Sequence, residues 1–167
     1  MRRRRRGASP VFVVLPERFV ALGQLITFEI GSRRLAIDIM AVREIRAWSP
    51  ATPLPNAPAH VGGVLNLRGV ILPVMDLSQQ LGWGSNDPSG RHVIIVIRIG
   101  DNLRGLVVDA VNDIVTLAPE DIQPVPEIGE AVSASYLQGI ANLGDRLIMI
   151  LDLDRINASA AASQEAA

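Results

Sequence analysis

The sequence has no cysteine and no lysine, and aromatic residues make up only 4% of it. Without cysteine there are no disulfides, no thiolate nucleophile and no Cys-ligated zinc. The two histidines, His60 and His92, stand 32 positions apart with no HExxH pattern, so each reads as a surface or turn residue and not as a metal ligand. No apolar run approaches the roughly 18 residues of a membrane-spanning helix; the longest strong runs, such as Val93–Ile97, have five or six. Nothing in the composition therefore suggests direct membrane insertion. Positive charge is also scarce outside one place. Five of the sixteen positive charges are Arg2–Arg6, and without them the net charge of −1 becomes −6. A mildly acidic body argues against nucleic acid as the main partner, because phosphate binding needs a basic face. The arginine run reads either as an electrostatic tether or as a plain leader. It is not a secretory signal, since the apolar stretch after it, Val11–Leu15, ends at Pro16.

What the chain has in abundance is aliphatic. It contains 17 Val, 17 Ile and 18 Leu in 167 residues. So much β-branched residue favours pleated sheet. Turn residues divide the chain into short apolar runs, as in an all-β barrel or sandwich. Gln24–Ile30 reads as a strand, Gly31-Ser32 as a turn, and Arg33–Ile39 as the returning strand. Pro50, Pro53, Pro55 and Pro58 then keep the chain extended or looped and forbid a helix there. Gly63–Leu67 and Val70–Asp76 form two more strands. A short helix follows, with Asp76 or Ser78 as N-cap and Gly82 at its stop. His92–Ile99 opens a second series.

The second series repeats the first. At an offset of 69, Phe28-Glu29-Ile30-Gly31 lies on Ile97-Arg98-Ile99-Gly100, and Val42-Arg43-Glu44-Ile45 lies on Val111-Asn112-Asp113-Ile114. At an offset of 76, Gly63–Leu67 lies on Gly139–Leu143, and Asp76-Leu77 on Asp152-Leu153. The change of offset places a seven-residue insertion around Glu127–Ser133. The repeat predicts two β-subdomains of about five strands each, over about 22–80 and 92–156. The folded body is expected to span 18–156, between a disordered Arg-rich leader (1–17) and an Ala/Ser-rich tail (157–167). Val93–Ile97 and Leu147–Leu151 do not alternate apolar with polar. Their strands need cover on both faces: the barrel interior on one, and the sister subdomain or a partner on the other.

Catalytic patterns are missing. There is no GxSxG, no GxxxxGK[ST] and no GxGxxG. Asp76 and Asp152 occupy equivalent repeat positions, which favours structural caps over catalytic acids. No catalytic residue, metal or cofactor is therefore assigned. Three polar or conformationally special positions stand out between apolar runs. Arg68 sits in a tight turn whose repeat mate is Gly144, so the turn does not need an arginine. It reads as a solvated charge or as a partner contact. Glu44 has Asp113 as its mate, which suggests a shared structural hydrogen bond as much as a contact. Pro73 interrupts a strand, as edges and bulges allow.

The segment Val61–Leu77, VGGVLNLRGVILPVMDL, resembles the signature of the CheW family of bacterial chemotaxis adaptors. LAIDIMAVREI (Leu35–Ile45), GLVVDAVNDIVTL (Gly105–Leu117) and YLQGIANLGDRLIMILDLDRI (Tyr136–Ile156) extend the resemblance over about Leu25–Ile156. It implies two SH3-like five-stranded barrels and a few short helices. It also implies a non-enzymatic coupler between the regulatory domain of the histidine kinase CheA and the cytoplasmic hairpin tips of chemoreceptors. Such a protein is a cytoplasmic monomer by itself and is assembled into membrane-associated arrays. On the resemblance, Val42, Arg68, Val93, Gly105 and Ile114 match receptor-binding positions, and Glu44, Gly63, Gly69 and Gly139 match kinase-binding ones. For Val42 the competing reading is core packing; for Gly69 and Gly139 it is a backbone with positive φ. The same adaptor role in a pathway for pili, surface behaviour or a second messenger, or a purine-binding domain, are the alternatives.

Overall fold

The computed structural model describes residues 23–58, 60–84, 88–126 and 135–158. The leader, most of the tail and the Glu127–Ser133 insertion fall outside the described residues.

Eleven strands account for most of the described chain. β1 is Gln24–Ile30, β2 Arg33–Asp38, β3 Val42–Ala47, β4 Val61–Leu67 and β5 Val70–Asp76. A one-turn helix, α1 (Leu77–Gln80), links them to β6 (Val93–Ile99), β7 (Asn102–Val108) and β8 (Ala110–Thr116). β9 (Ile122–Gln123), β10 (Leu137–Leu143) and β11 (Arg146–Leu151) complete the set. Asp76 caps α1 by accepting from the Gln79 N–H at 3.3 Å, and Gly82 ends it with φ of 81°. Asp152 caps in the same way, its Oδ1 accepting from the N–H groups of Asp154 and Arg155. Both aspartates are thus fixed in structural work.

The strands form one six-stranded sheet, ordered β8-β1-β2-β11-β10-β9, and one five-stranded sheet, ordered β3-β6-β7-β5-β4. The all-β expectation holds, but two five-stranded closed barrels are not what forms. Among the described residues, β8 and β9 are free edges of the first sheet, β3 and β4 of the second. Sheet membership also cuts across the two halves. β1 and β2 of the first half pair with β8 and β11 of the second, while β6 and β7 pair with β3 and β5.

This exchange follows the repeat residue by residue. Leu25 opposite Asp38 becomes Ile94 opposite Val107. Val74 opposite Gly105 becomes Ile150 opposite Ala36. The bulge at Val61/Gly63 recurs at Leu137/Gly139. The two sheets are therefore related by an internal pseudo-two-fold, each built from the β-hairpin of one half and the strands of the other, four in the six-stranded sheet and three in the five-stranded one. Pro73 lies on an interior strand, not an edge. It is tolerated because the β5–β7 pairing begins only at Val74, so its missing N–H leaves no ladder bond unmade.

Three apolar clusters fill the molecule. One lies between the sheets and includes Phe28, Leu35, Ile37, Met75, Ile95 and Ile97. Leu25, Ala36, Ile148 and Ile150 form a second inside the six-stranded sheet. Leu72, Val74, Ile94 and Val96 form the third inside the five-stranded sheet. The alternating positions of Val93–Ile97 thus enter two different cores, which explains their lack of polar partners. The same holds for Ile148–Leu151, whereas Leu147 remains exposed.

His60 is partly buried beside β4. Its carbonyl accepts from the Asp76 N–H at 2.7 Å, and its Nε2 is buried without a partner. Desolvation pushes its pKa below 6.5, so the fold favours the neutral ring. The unfolded chain then binds more protons as pH falls below 6.5, and stability falls with it. His60→Gln is expected to flatten this acid loss, as read by melting temperature at pH 7.5 and 5.5 in the two proteins.

Candidate functional site

Four two-residue hairpin turns join neighbouring strands. Three of them begin with glycine: Gly31, Gly100 and Gly144, at φ of 60°, 59° and 60°. Their second residues, Ser32, Asp101 and Asp145, do not have positive φ, which is the type II′ pattern. The fourth turn is Arg68-Gly69, at φ of 50° and 85°, a type I′ pattern. The Gly69 N–H donates to Asn66 Oδ1 at 2.8 Å and holds the turn. A left-handed arginine is disfavoured by about 1–2 kcal/mol. Its repeat mate is a glycine, so the fold does not require the side chain here.

That side chain reaches across the open seam of the five-stranded sheet. Arg68 Nη2 donates to Glu44 Oε2 at 2.7 Å, joining the β4–β5 hairpin to β3 at the opposite edge. The sheet must curl strongly to bring these edges within one ion pair. The Thr52–Val64 bridge, with hydrogen bonds of 2.9 Å in both directions, draws the β3–β4 connection onto the same seam. Arg46 lies 3.9 Å from the other oxygen of Glu44. The Arg68 side chain stays 77% exposed while that of Glu44 is 25% exposed, so the carboxylate is held and the guanidinium projects. An ion pair this wet contributes little to stability.

Arg68 overhangs a groove of about 510 Å³. Leu67, Val96 and Leu103 give it an apolar floor; Arg43, Arg98 and Asp101 complete its rim. Arg98 lies 3.6 Å from Asp101 and donates to the Gly100 carbonyl at 2.9 Å. Three arginines against two carboxylates leave the groove net positive. An apolar floor with a charged rim is suited to docking another polypeptide. Among the described residues no group of three or more His, Asp or Glu could hold a metal ion.

A model of the CheW-like domain family matches residues 24–161. The chain belongs to the CheW family. "Chemotaxis protein CheW" of Rhizobium meliloti (strain 1021) is 47% identical over 133 residues, covering 80% of this chain and 86% of that protein. The crystal structure of the scaffolding protein TtCheW from Thermoanaerobacter tengcongensis matches with a TM-score of 0.72 at 30% identity, over 78% of this chain and 84% of that one. "Protein FrzA" of Myxococcus xanthus is 34% identical over 113 residues, 68% of this chain and 70% of that protein.

The CheW-like positions inferred from sequence fall in several places. Val42 and Val93 mark the two ends of the β3–β6 pairing, opposite Ile97 and Ala47, and both pack half-buried on the inter-sheet core. Gly105 is buried in β7, where a Cβ would sit 3.0 Å from Ile94 Cγ2 and 3.4 Å from Leu72 Cδ2. Ile114 lies on the other sheet, on β8, and is 56% exposed. Glu44, which matches a kinase-binding position, and Arg68, which matches a receptor-binding one, touch each other. Glu44 accepts a hydrogen bond from Arg68 within the fold, and its mate Asp113 is held differently, by Thr27 Oγ1 on its backbone. Gly63 and Gly139 occupy the equivalent bulges. Gly63 has φ of 139° and Gly69 of 85°, but Gly139 lies outside the left-handed region. Sequence reading missed Arg98 and Asp101. The signal was available, because Arg98 breaks an otherwise apolar strand one residue before its turn.

Proposed function

We propose that this CheW-family chain is a non-enzymatic adaptor that couples the regulatory domain of the kinase CheA to the cytoplasmic hairpin tips of chemoreceptors. The observation that carries this reading is Arg68, a projecting guanidinium held in a left-handed turn where three sister hairpins use glycine. A side chain kept against local backbone preference, over an apolar-floored groove, is what a partner contact requires. Arg68, Val42, Val93 and Ile114 are proposed to contact the receptor, with Gly105 supporting them from beneath by its close packing. Glu44 lines the same groove and Gly69 closes the turn that carries Arg68; these two, with Gly63 and Gly139, are proposed to form the face that meets the kinase. That the similar protein TtCheW is a scaffolding protein supports an adaptor over an enzyme. No helix among the described residues is long and apolar enough to cross a membrane. The proposed place of action is the cytoplasmic side of receptor arrays.

The test is retention of the purified chain on an immobilised receptor-tip fragment and, separately, on the kinase regulatory domain. Both are expected to retain it, and a mixture of all three is expected to form one complex. Failure to bind either partner overturns the proposal. The similarity to FrzA favours a second reading, the same adaptor role in a different pathway. Selective retention on receptors of a pilus or second-messenger system would choose it.

A further inference from the structure

The free edge of β8 combines three features that its pseudo-symmetry mate lacks in combination. First, among the described residues β8 has no strand on its outer side, and it carries Ile114 at 56% exposure. Ile114 sits opposite Ile26 on the inter-sheet face, so its exposed surface continues the main core outward. Its mate on β3, Ile45, is likewise 45% exposed. Second, the charge around the two edges differs. β3 carries Arg43 and Arg46 beside Glu44, whereas the matching β8 positions are Asn112, Val115 and Asp113. Residues 105–145 contain seven carboxylates and no arginine at all, a local charge of −7 that exceeds the −6 of the whole body. Asp113, Glu120 and Asp121 are exposed along or just beyond β8.

Third, the chain enters β1 beside this edge. Gln24 pairs with Thr116 at the end of β8, so residues 1–22, outside the described residues, attach one strand away from it. Those 22 residues hold six arginines and one glutamate, net +5. They also contain Val11–Leu15, an apolar run between Pro10 and Pro16. The eight residues from Pro16 to Gly23 span up to roughly 26–29 Å when extended. That exceeds the roughly 24 Å length of a seven-residue strand, so the apolar run can reach every point along β8.

We propose that the leader docks on its own body at the β8 edge, with Val11–Leu15 over Ile114 and Arg2–Arg6 against the acidic surface of residues 109–121. The β3 edge offers the same apolar step but the wrong charge, so the internal symmetry itself supplies the contrast. Because Ile114 is one of the proposed receptor contacts, the docked leader competes with the receptor; this consequence rests on the adaptor reading, while the docking does not.

The test compares the full chain with a variant lacking residues 2–15 and with one in which Arg2–Arg6 are serine. Amide hydrogen exchange of Ala110–Thr116 is expected to be at least ~5-fold slower in the full chain than in either variant. The difference should shrink at high salt, as exposed charges are screened, and in the Asp113→Asn/Glu120→Gln double variant. Equal exchange in all three proteins overturns the proposal. So does protection that rises with protein concentration, which would make the occupant a second copy. Leader-dependent binding to anionic lipid vesicles or to nucleic acid, with β8 exchange unchanged by the leader, overturns it as well. Removing residues 2–15 should also tighten binding to the receptor-tip fragment several-fold. If protection is seen but receptor affinity is unchanged, the competition is wrong and the docking stands. If no protein binds the fragment, the adaptor reading fails and β8 exchange still decides the docking.

Discussion

Gly63→Ala is expected to destabilise the protein by roughly 3 kcal/mol, against about 1 kcal/mol for Gly69→Ala. Gly63 has φ of 139°, and a Cβ there would lie 2.4 Å from the Thr52 carbonyl oxygen and 2.7 Å from its carbon. Both atoms are backbone and cannot rotate away. The Thr52 segment must therefore retreat, breaking its two 2.9 Å hydrogen bonds to Val64. At about 0.5–1.5 kcal/mol each, with about 1–3 kcal/mol of backbone strain, the change removes a large share of the 5–15 kcal/mol available to a typical domain. Gly69, at φ of 85°, has nothing within 4 Å of the added atom, so it suffers conformational strain alone. Urea denaturation of the two variants should separate them by their midpoints, with equal slopes. A kinase-binding defect in Gly63→Ala should then appear only under conditions where the fold is partly lost. A binding defect in fully folded Gly63→Ala would mean that the glycine itself is a contact.

Arg68→Glu is expected to weaken receptor-fragment binding by ~30-fold or more, the scale of an interface hot spot near 2 kcal/mol. It should shift the melting temperature by only a few degrees. The new carboxylate would face Glu44, whose Oε2 now lies 2.7 Å from the arginine, so charge complementarity and side-chain position are lost together. Arg68→Gly separates the two roles. Glycine suits the left-handed position that arginine occupies at φ of 50°, and the lost ion pair is exposed, so folding should stay within about 1 kcal/mol of the wild type. Binding should still fall. Titration of a labelled receptor fragment into each variant checks this. Unchanged affinity in Arg68→Glu would remove the groove from the receptor interface.

Much of the local structure was legible in the chain. The strand β1, its Gly31-Ser32 turn, the Asp76 cap and the Gly82 stop follow from short-range rules that do not depend on what lies across the molecule. The Arg68 site was half legible. That the turn did not need an arginine came from comparing it with Gly144. That the arginine holds Glu44 could not be read, because the two are 24 residues apart and meet only when the sheet curls. Gly105 could be matched to a family pattern but not interpreted. Its role depends on Ile94 and Leu72 closing over it from neighbouring strands.

By itself, the sequence determined an all-β chain, its turns, its internal repeat and its family. It could not decide which copy of a strand pairs with which. β2 could have met β5 of its own half, yet it pairs with β11, and β5 pairs with β7. The repeat makes these choices nearly equivalent in local terms, because mates such as Val74 and Ile150 present the same aliphatic edge. The choice was made by tertiary structure, through closure of a shared core between the sheets. In that core Phe28, Ile37, Ile95 and Ile97 are buried completely.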